Sequence, residues 1–360
     1  MNRTTAAALI AAGVVGLVGG TVSAVVRGDH SPGTGGPSTA PTTRSEQPQP
    51  AATVLYAGDG KVVDGKRTIT WTAPHQTPTK LVRTSTGYLL SFATSPQEPA
   101  FELWAVDTEG QSTLVAKVAG TWDLDATKSR IVGSDLESGK VIVWSLEGTA
   151  EATWRLFTGR HSPVWVGERV MVSPVLRNGT LPQLFWDPAT EKQTTTRNVG
   201  FSNLTSSPDQ LLAGGQVDSE GAGSNNEGNY CLASQKVGDT SGANQWYTCD
   251  WRSNVDGVQY SPDSAKVMAI PAQSDGFGPG VFGVFSATDG PKAGVSEIKA
   301  PGPTLGAEWL DEGHLVVYGA SDYNLDDKTA MVIRTCDLSG KCAEVAHGAE
   351  GEKLVVASTT

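Results

Sequence analysis

The residues best suited to chemistry are four cysteines, five histidines and an ample set of carboxylates in a chain of 360 residues. Cys231 and Cys249 form one local pair, and Cys336 and Cys342 another, the second spanning Cys-Asp-Leu-Ser-Gly-Lys-Cys. Four cysteines allow three connectivities, and proximity favours disulfides 231–249 and 336–342. Each closure is worth about 2–3 kcal/mol in the loop-entropy description. A zinc site would need CxxC spacing and supporting histidines, and neither is present. His30, His75, His161, His314 and His347 form no HExxH and no paired metal spacing. They read as ordinary loop and strand histidines, with His161 and His314 near strand starts. No GxSxG nucleophile elbow occurs. Asp322, Asn324 and Asp326 have the D-x-N-x-D opening of a calcium loop but lack the following Gly and the distal Glu, so the stretch reads as a solvated hairpin loop. Paired carboxylates do glycoside hydrolysis, yet no particular pair stands out. The residue types therefore assign no catalytic residue, metal or cofactor.

The elements that would hold these residues repeat. FELWAVDTEG (101–110) alternates apolar residues up to a Trp, then turns at Asp and Gly. Related phrases are VIVWSLEG (141–148), QLFWDPATEK (183–192), VFGVFSATDG (281–290) and MVIRTCDLSG (331–340). Each reads as a strand running into a tight turn. Trp104, Trp144 and Trp186 lie 40 and 42 residues apart. A four-stranded unit recurring at about 40–50 residues is the mark of an all-β propeller. Six units are expected at about 78–119, 120–157, 158–199, 200–252, 253–301 and 302–350. Residues 53–72 offer two or three short strands before them, and EKLVVAS (352–358) offers one after. If the two ends combine, they make a seventh blade of mixed origin and remove the open edge strands. The alternative is six blades with the ends as extra outer strands.

The beginning of the chain differs from the rest. Residues 6–26 carry no charge and are enough to span a bilayer. Two readings stand for residues 1–27: an uncleaved transmembrane anchor with the C-terminal domain outside, or a signal peptide cleaved after Val22-Ser23-Ala24. Residues 28–52 are rich in Gly, Pro, Ser and Thr and are expected to form a disordered linker. Residues 53–360 would then be a propeller exported to an oxidising compartment, where disulfides persist. The formal net charge of −11, with no cluster of Lys or Arg, argues against nucleic acid as a partner.

Two phrases carry a family resemblance. Ser206-Ser207-Pro208-Asp209 and Tyr260-Ser261-Pro262-Asp263 each precede an apolar strand, and Trp309-Leu310-Asp311-Glu312-Gly313 is a looser version. They resemble the Ser-Pro-Asp-Gly turn of TolB-like and WD40-like propellers, with Gln210 and Ser264 in place of the usual Gly. The whole layout resembles exported actinobacterial propeller proteins of undefined function. Asp135 to Trp144 also resembles the tryptophan docking motif of quinone-dependent propellers. Trp144 stands five residues after Gly139, where that motif has four, and is read as inter-blade core. The resemblance implies a binding surface and no particular reaction. The expectation is a membrane-tethered extracytoplasmic scaffold for a protein or cell-envelope ligand, with the polar loop 218–229 as one place for binding. The alternative is an exported hydrolase of glycosidase or lactonase type, with acidic residues at the channel mouth.

Overall fold

The computed structural model describes residues 53–95, 100–154, 161–174, 183–196, 203–206, 210–216, 230–236, 244–252, 260–274, 280–321 and 329–358. The anchor or signal segment, the linker, His30, the 218–229 loop and the calcium-like stretch from Asp322 to Asp326 all lie outside the described residues. Among the described residues no helix is long and apolar enough to cross a membrane.

The described chain is almost entirely strand. It opens with β1 (Leu55–Gly58), β2 (Lys61–Asp64) and β3 (Arg67–Thr70), and continues with β4 (Lys80–Arg83), β5 (Gly87–Ala93), β6 (Ala100–Asp107) and β7 (Ser112–Leu124). Next come β8 (Arg130–Asp135), β9 (Val141–Ser145), β10 (Ala150–Trp154), β11 (His161–Val166), β12 (Arg169–Pro174), β13 (Gln183–Trp186) and β14 (Gln193–Thr196). Then follow β15 (Asn203–Ser206), β16 (Gln210–Gln216), β17 (Tyr230–Lys236), β18 (Asn244–Thr248), β19 (Trp251–Arg252), β20 (Lys266–Pro271), β21 (Val281–Ser286) and β22 (Ser296–Lys299). The last are β23 (Thr304–Asp311), β24 (His314–Ala320), β25 (Met331–Asp337), β26 (Cys342–His347) and β27 (Val355–Ser358).

Strands β11–β14, β15–β18, β19–β22 and β23–β26 make four antiparallel sheets of four strands each. The remaining strands form one 11-stranded ladder. Two features join its parts. Strand β7 pairs with β6 along its first half and with β8 along its second, with a register shift between Ala119 and Trp122. Gly120 lies inside that shift at φ +78°, a conformation that L side chains resist, so the strand can leave one meander and lead the next. Strand β27 pairs antiparallel with β1 and parallel with β4, through Ala357↔Leu81 and Ser358↔Val82. C-terminal and N-terminal residues thus share one meander, β27–β1–β2–β3.

Alternation sends apolar side chains from each meander into its neighbours. Leu55, Val62 and Trp71 meet Leu81, Leu90 and Phe92 in one buried cluster. Val82, Leu89 and Leu103 meet Leu124, Ile131 and Trp144 in the next. Val143 and Trp154 then meet Trp165 and Trp186, whose partner Trp154 stacks on it at 5.5 Å. Leu232 and Trp246 meet Val267 and Phe285, while Ile270 and Phe282 meet Trp309 and Val317. Val316 and Ile333 finally meet Val54 and Val356. Each such side chain contributes about 1.5–3 kcal/mol on full burial. The arrangement is propeller-like: four-stranded meanders packed face to face.

Trp144 and Trp186 are core, as their spacing implies, at 6 and 2 % exposure. Trp104 is only half-buried and donates its indole N–H to Glu102 at 3.2 Å. One unit boundary shifts. Trp251 and Arg252, expected at the end of the fourth unit, form β19 and lead the β19–β22 sheet. The chain bends at Cys249 and Asp250, where Asp250 N–H donates to Thr248 Oγ1 at 3.2 Å, so Trp251 begins a new direction.

Candidate functional site: a charged line and the cavity at its end

The leading strands of neighbouring meanders are tied by buried polar groups. Asp123 on β7 is fully buried and Glu308 on β23 is 3 % exposed. Asp123 Oδ2 accepts the backbone N–H of Trp165, on β11, at 2.8 Å, and Oδ1 accepts that of Leu124 at 2.8 Å. Ser358 Oγ, on β27, donates to Glu308 Oε2 at 3.3 Å. Lys80, on β4, rests its Nζ 4.2 Å from the Trp122 ring centroid, and its charge is drawn by both Asp123 and Glu308. Burial pushes the Asp123 carboxyl up to about 7, against the pull of the Trp165 N–H, the Lys80 charge and the Leu124 N–H. Burial likewise pushes Lys80 down, against the pull of the two carboxylates. Burying such charges is costly unless they are offset, and here each acid accepts hydrogen bonds within the fold and faces the Lys80 charge.

A cavity of about 260 Å³ lies where several of these leading strands end. Its lining combines two cations, Arg83 and Lys128, with the hydroxyl-bearing Ser358 and Thr53 and an aliphatic wall that includes Leu55, Leu310, Val316 and Val356. None of the described residues lining it is a carboxylate. Arg83, at the end of β4, makes a two-pronged contact with Asp64: Nη1 to Oδ2 at 2.8 Å and Nη2 to Oδ1 at 2.6 Å. Tyr88 Oη adds a third bond to Asp64 Oδ2 at 2.9 Å. The Arg83 hydrogen bonds hold Asp64 below the usual carboxylate range, with Tyr88 assisting against the effect of burial.

Lys128 owes its position to a turn. Asp125 accepts hydrogen bonds from Ser129 N–H, Arg130 N–H, Arg130 Nε and Thr127 Oγ1, and Lys128 N–H donates to the Asp125 carbonyl at 2.8 Å. Lys128 itself sits at φ +57°. The Ser261–Lys266 turn has the same frame: Ser264 N–H donates to Ser261 O at 2.7 Å, Asp263 caps Ala265 N–H, and Ser264 is at φ +59°. The Ser-Pro-Asp phrase at 261–263 thus marks a turn, and 125–130 is a second copy of that turn without the phrase, while the phrase at 207–209 lies outside the described residues. Burial and the neighbouring charge of Arg83 both push Lys128 down.

The residues singled out by sequence fall elsewhere. Cys231–Cys249 and Cys336–Cys342 are the two disulfides, with no free cysteine among the described residues. The second joins directly paired positions of β25 and β26, and Tyr247 Oη lies 3.0 and 2.7 Å from the two sulfurs of the first. His75 Nε2 is 2.9 Å from Glu102, which also takes Lys117 at 2.9 Å. With Trp104 as a further donor, these contacts overcome burial and hold Glu102 at about 2. His314 Nδ1 pairs with Asp311 at 2.8 Å on the exposed β23–β24 turn, and His347 with Glu344 at 3.4 Å. His161 begins β11. Among the described residues no three His, Cys, Asp or Glu side chains converge in a metal-binding group. Sequence reasoning passed over Lys80, Arg83, Asp123, Lys128 and Glu308. The available signal was a lone acid inside an apolar strand, in TWDL and in GAEWL.

No protein-family model matches the chain, and no curated protein sequence does. Solved structures resemble it in fold. A protein of unknown function from Desulfotomaculum acetoxidans DSM 771 is 12 % identical with a TM-score of 0.51, over 86 % of this chain and 100 % of that one. BamB from Moraxella catarrhalis is 11 % identical with a TM-score of 0.43, over 74 % of this chain and 78 % of that one. TolB from Acinetobacter baumannii is 12 % identical with a TM-score of 0.43, over 66 % and 62 % respectively. At such identities the likeness concerns fold alone.

Proposed function

We propose that the chain is a membrane-tethered, extracytoplasmic binding scaffold built on a seven-bladed propeller. Counting β7 in both of its meanders puts the described strands into groups of four, with β27–β1–β2–β3 as the mixed group, and this supports seven blades over six. The leading strands would surround a channel, and the cavity beside Arg83 and Lys128 would be its mouth. In this reading residues 1–27 are the anchor and residues 28–52 the linker that tethers the body to it, and the paired cysteines suit an oxidising compartment.

The observation that carries the binding reading is the cavity lining. It holds cations, hydroxyls and aliphatic side chains, whereas Asp123 and Glu308 are bonded within the fold and do not line it. Recognition of a ligand suits that composition better than hydrolysis by paired carboxylates. The test uses the wild-type protein and Lys128→Glu as baits against envelope extract. A protein partner held by the first and lost by the second supports the scaffold. No partner, together with turnover in a glycoside and lactone panel, overturns it in favour of an exported hydrolase. Protease shaving of intact cells checks the location: residues 53–360 should be accessible from outside.

A further inference from the structure

We propose that the Cys231–Cys249 disulfide is a site of thiol–disulfide exchange, entered at Cys249 by a dithiol donor, with Tyr247 assisting departure of the Cys231 sulfur. Burial sets the direction. Cys231, on β17, is 1 % exposed, whereas Cys249 lies exposed at the bend after β18. An incoming thiolate therefore reaches the Cys249 sulfur, and Cys231 becomes the leaving group. Tyr247 Oη lies 3.0 Å from Cys231 Sγ and 2.7 Å from Cys249 Sγ. Neither sulfur of a disulfide carries a hydrogen, so the phenol is the donor. Burial pushes Tyr247 up from its ordinary value, which keeps that proton in place at neutral pH. A hydrogen bond to the forming thiolate stabilises it, and a thiol of lower pKa leaves faster. The other disulfide lacks both features. Cys336 is fully buried and Cys342 half-buried. Cys342 Sγ has the Gly340 carbonyl 3.8 Å away and, among the described residues, no hydroxyl donor.

In the first step the thiolate bonds to Cys249 Sγ as the Cys231–Cys249 bond breaks, and the electron pair leaves on Cys231 Sγ, which takes up a proton. The donor's second thiolate then attacks the donor's own sulfur in the mixed disulfide and releases Cys249. The donor gives up two electrons and two protons and becomes a disulfide, and the protein gains both as two thiols. The bond so opened closes the end of the β17–β18 ladder, one position beyond Leu232↔Thr248, and the bend it anchors leads into β19. Trp251 on β19 packs with Leu232, Trp246 and Phe285, and β19 pairs with β20 through Trp251↔Pro271 and Arg252↔Ile270. Exchange at Cys249 thus releases the point from which one meander leads to the next.

The test is native-state reduction of the full-length protein in detergent with dithiothreitol, quenched at intervals by alkylation and mapped by mass spectrometry. Cys231 and Cys249 should be labelled about tenfold or more faster than Cys336 and Cys342. Reduced glutathione, which has no second thiol, should leave its adduct on Cys249 rather than Cys231. Tyr247→Phe should slow reduction of the first pair about threefold or more and leave the second pair unchanged, with matching urea midpoints for variant and wild type. Should that midpoint fall, the wild-type ratio and the adduct position still decide. Reduced thioredoxin at the same dithiol concentration identifies the donor: reduction faster than by dithiothreitol marks a protein dithiol, and reduction no faster marks a small one. Equal or slower labelling of the first pair, an adduct on Cys231, or unchanged kinetics in a folded Tyr247→Phe variant would overturn the proposal.

Discussion

Replacing Lys80 with methionine keeps most of the side-chain volume over Trp122 and removes the charge that faces Asp123 and Glu308. The two acids then remain buried, at 0 and 3 % exposure, without that cation. Removing one partner of a buried ionic group typically costs about 3–5 kcal/mol. The pH dependence follows from Asp123. Its carboxyl titrates near 7 in the folded chain against an ordinary value of 3.8, so the folded state holds the proton more tightly. Its contribution to stability is fully present below the unfolded value and is lost as pH rises through about 7. That difference of about three pH units corresponds to something on the order of 4 kcal/mol. Losing Lys80 pushes Asp123 higher still, so the variant suffers most at pH 8 and much less at pH 5. The assay is urea unfolding followed by tryptophan fluorescence at both pH values. With a slope near 3 kcal/mol/M, the midpoint at pH 8 should fall by about 1–1.7 M. A loss of under about 1 kcal/mol at pH 8, or the same loss at both pH values, would refute the claim that Lys80 balances these buried acids.

Three further outcomes are expected. Glu102→Gln should cost about 1–2 kcal/mol at pH 7, since His75, Lys117 and Trp104 all bond the carboxylate. Because Glu102 is held at about 2, its stabilisation is present above the ordinary value of 4.5 and should fade in acid denaturation as pH falls through 2. Ser264→Gly should raise stability by up to about 1 kcal/mol, because φ is +59° there, while Ser264→Ala should give no gain; thermal unfolding distinguishes the two. Replacing both Cys336 and Cys342 with serine should cost about 2 kcal/mol, and replacing both Cys231 and Cys249 about 3, since the second pair closes the longer loop of 18 against 6 residues. Denaturant midpoints with and without reductant test that order.

Much of the fold was legible because its signals are local. Alternating apolar residues ending at Gly-containing turns announce strands, and recurrence of Trp104, Trp144 and Trp186 at near-constant spacing announces repeated meanders. The disulfides were legible for the same reason: each pair lies within one meander, Cys336 and Cys342 on adjacent strands and Cys231 on a strand beside the bend that follows its neighbour, so sequence proximity stands in for spatial proximity. Even the pairing of EKLVVAS with the N-terminal strands followed from leftover ends in a repeat, and β27 does lie between β1 and β4. The charged line and its cavity are different. Lys80, Asp123, Glu308 and Ser358 are far apart in the chain and belong to different meanders, so no spacing rule connects them. They meet because leading strands of separate meanders come side by side, and that arrangement is set by side-chain burial across the whole domain. The sequence by itself determined strands, turns and local cross-links, each governed by neighbours a few residues away. Only the tertiary structure decided which isolated charges would be buried together, and that Arg83 and Lys128 would share one cavity with an aliphatic wall.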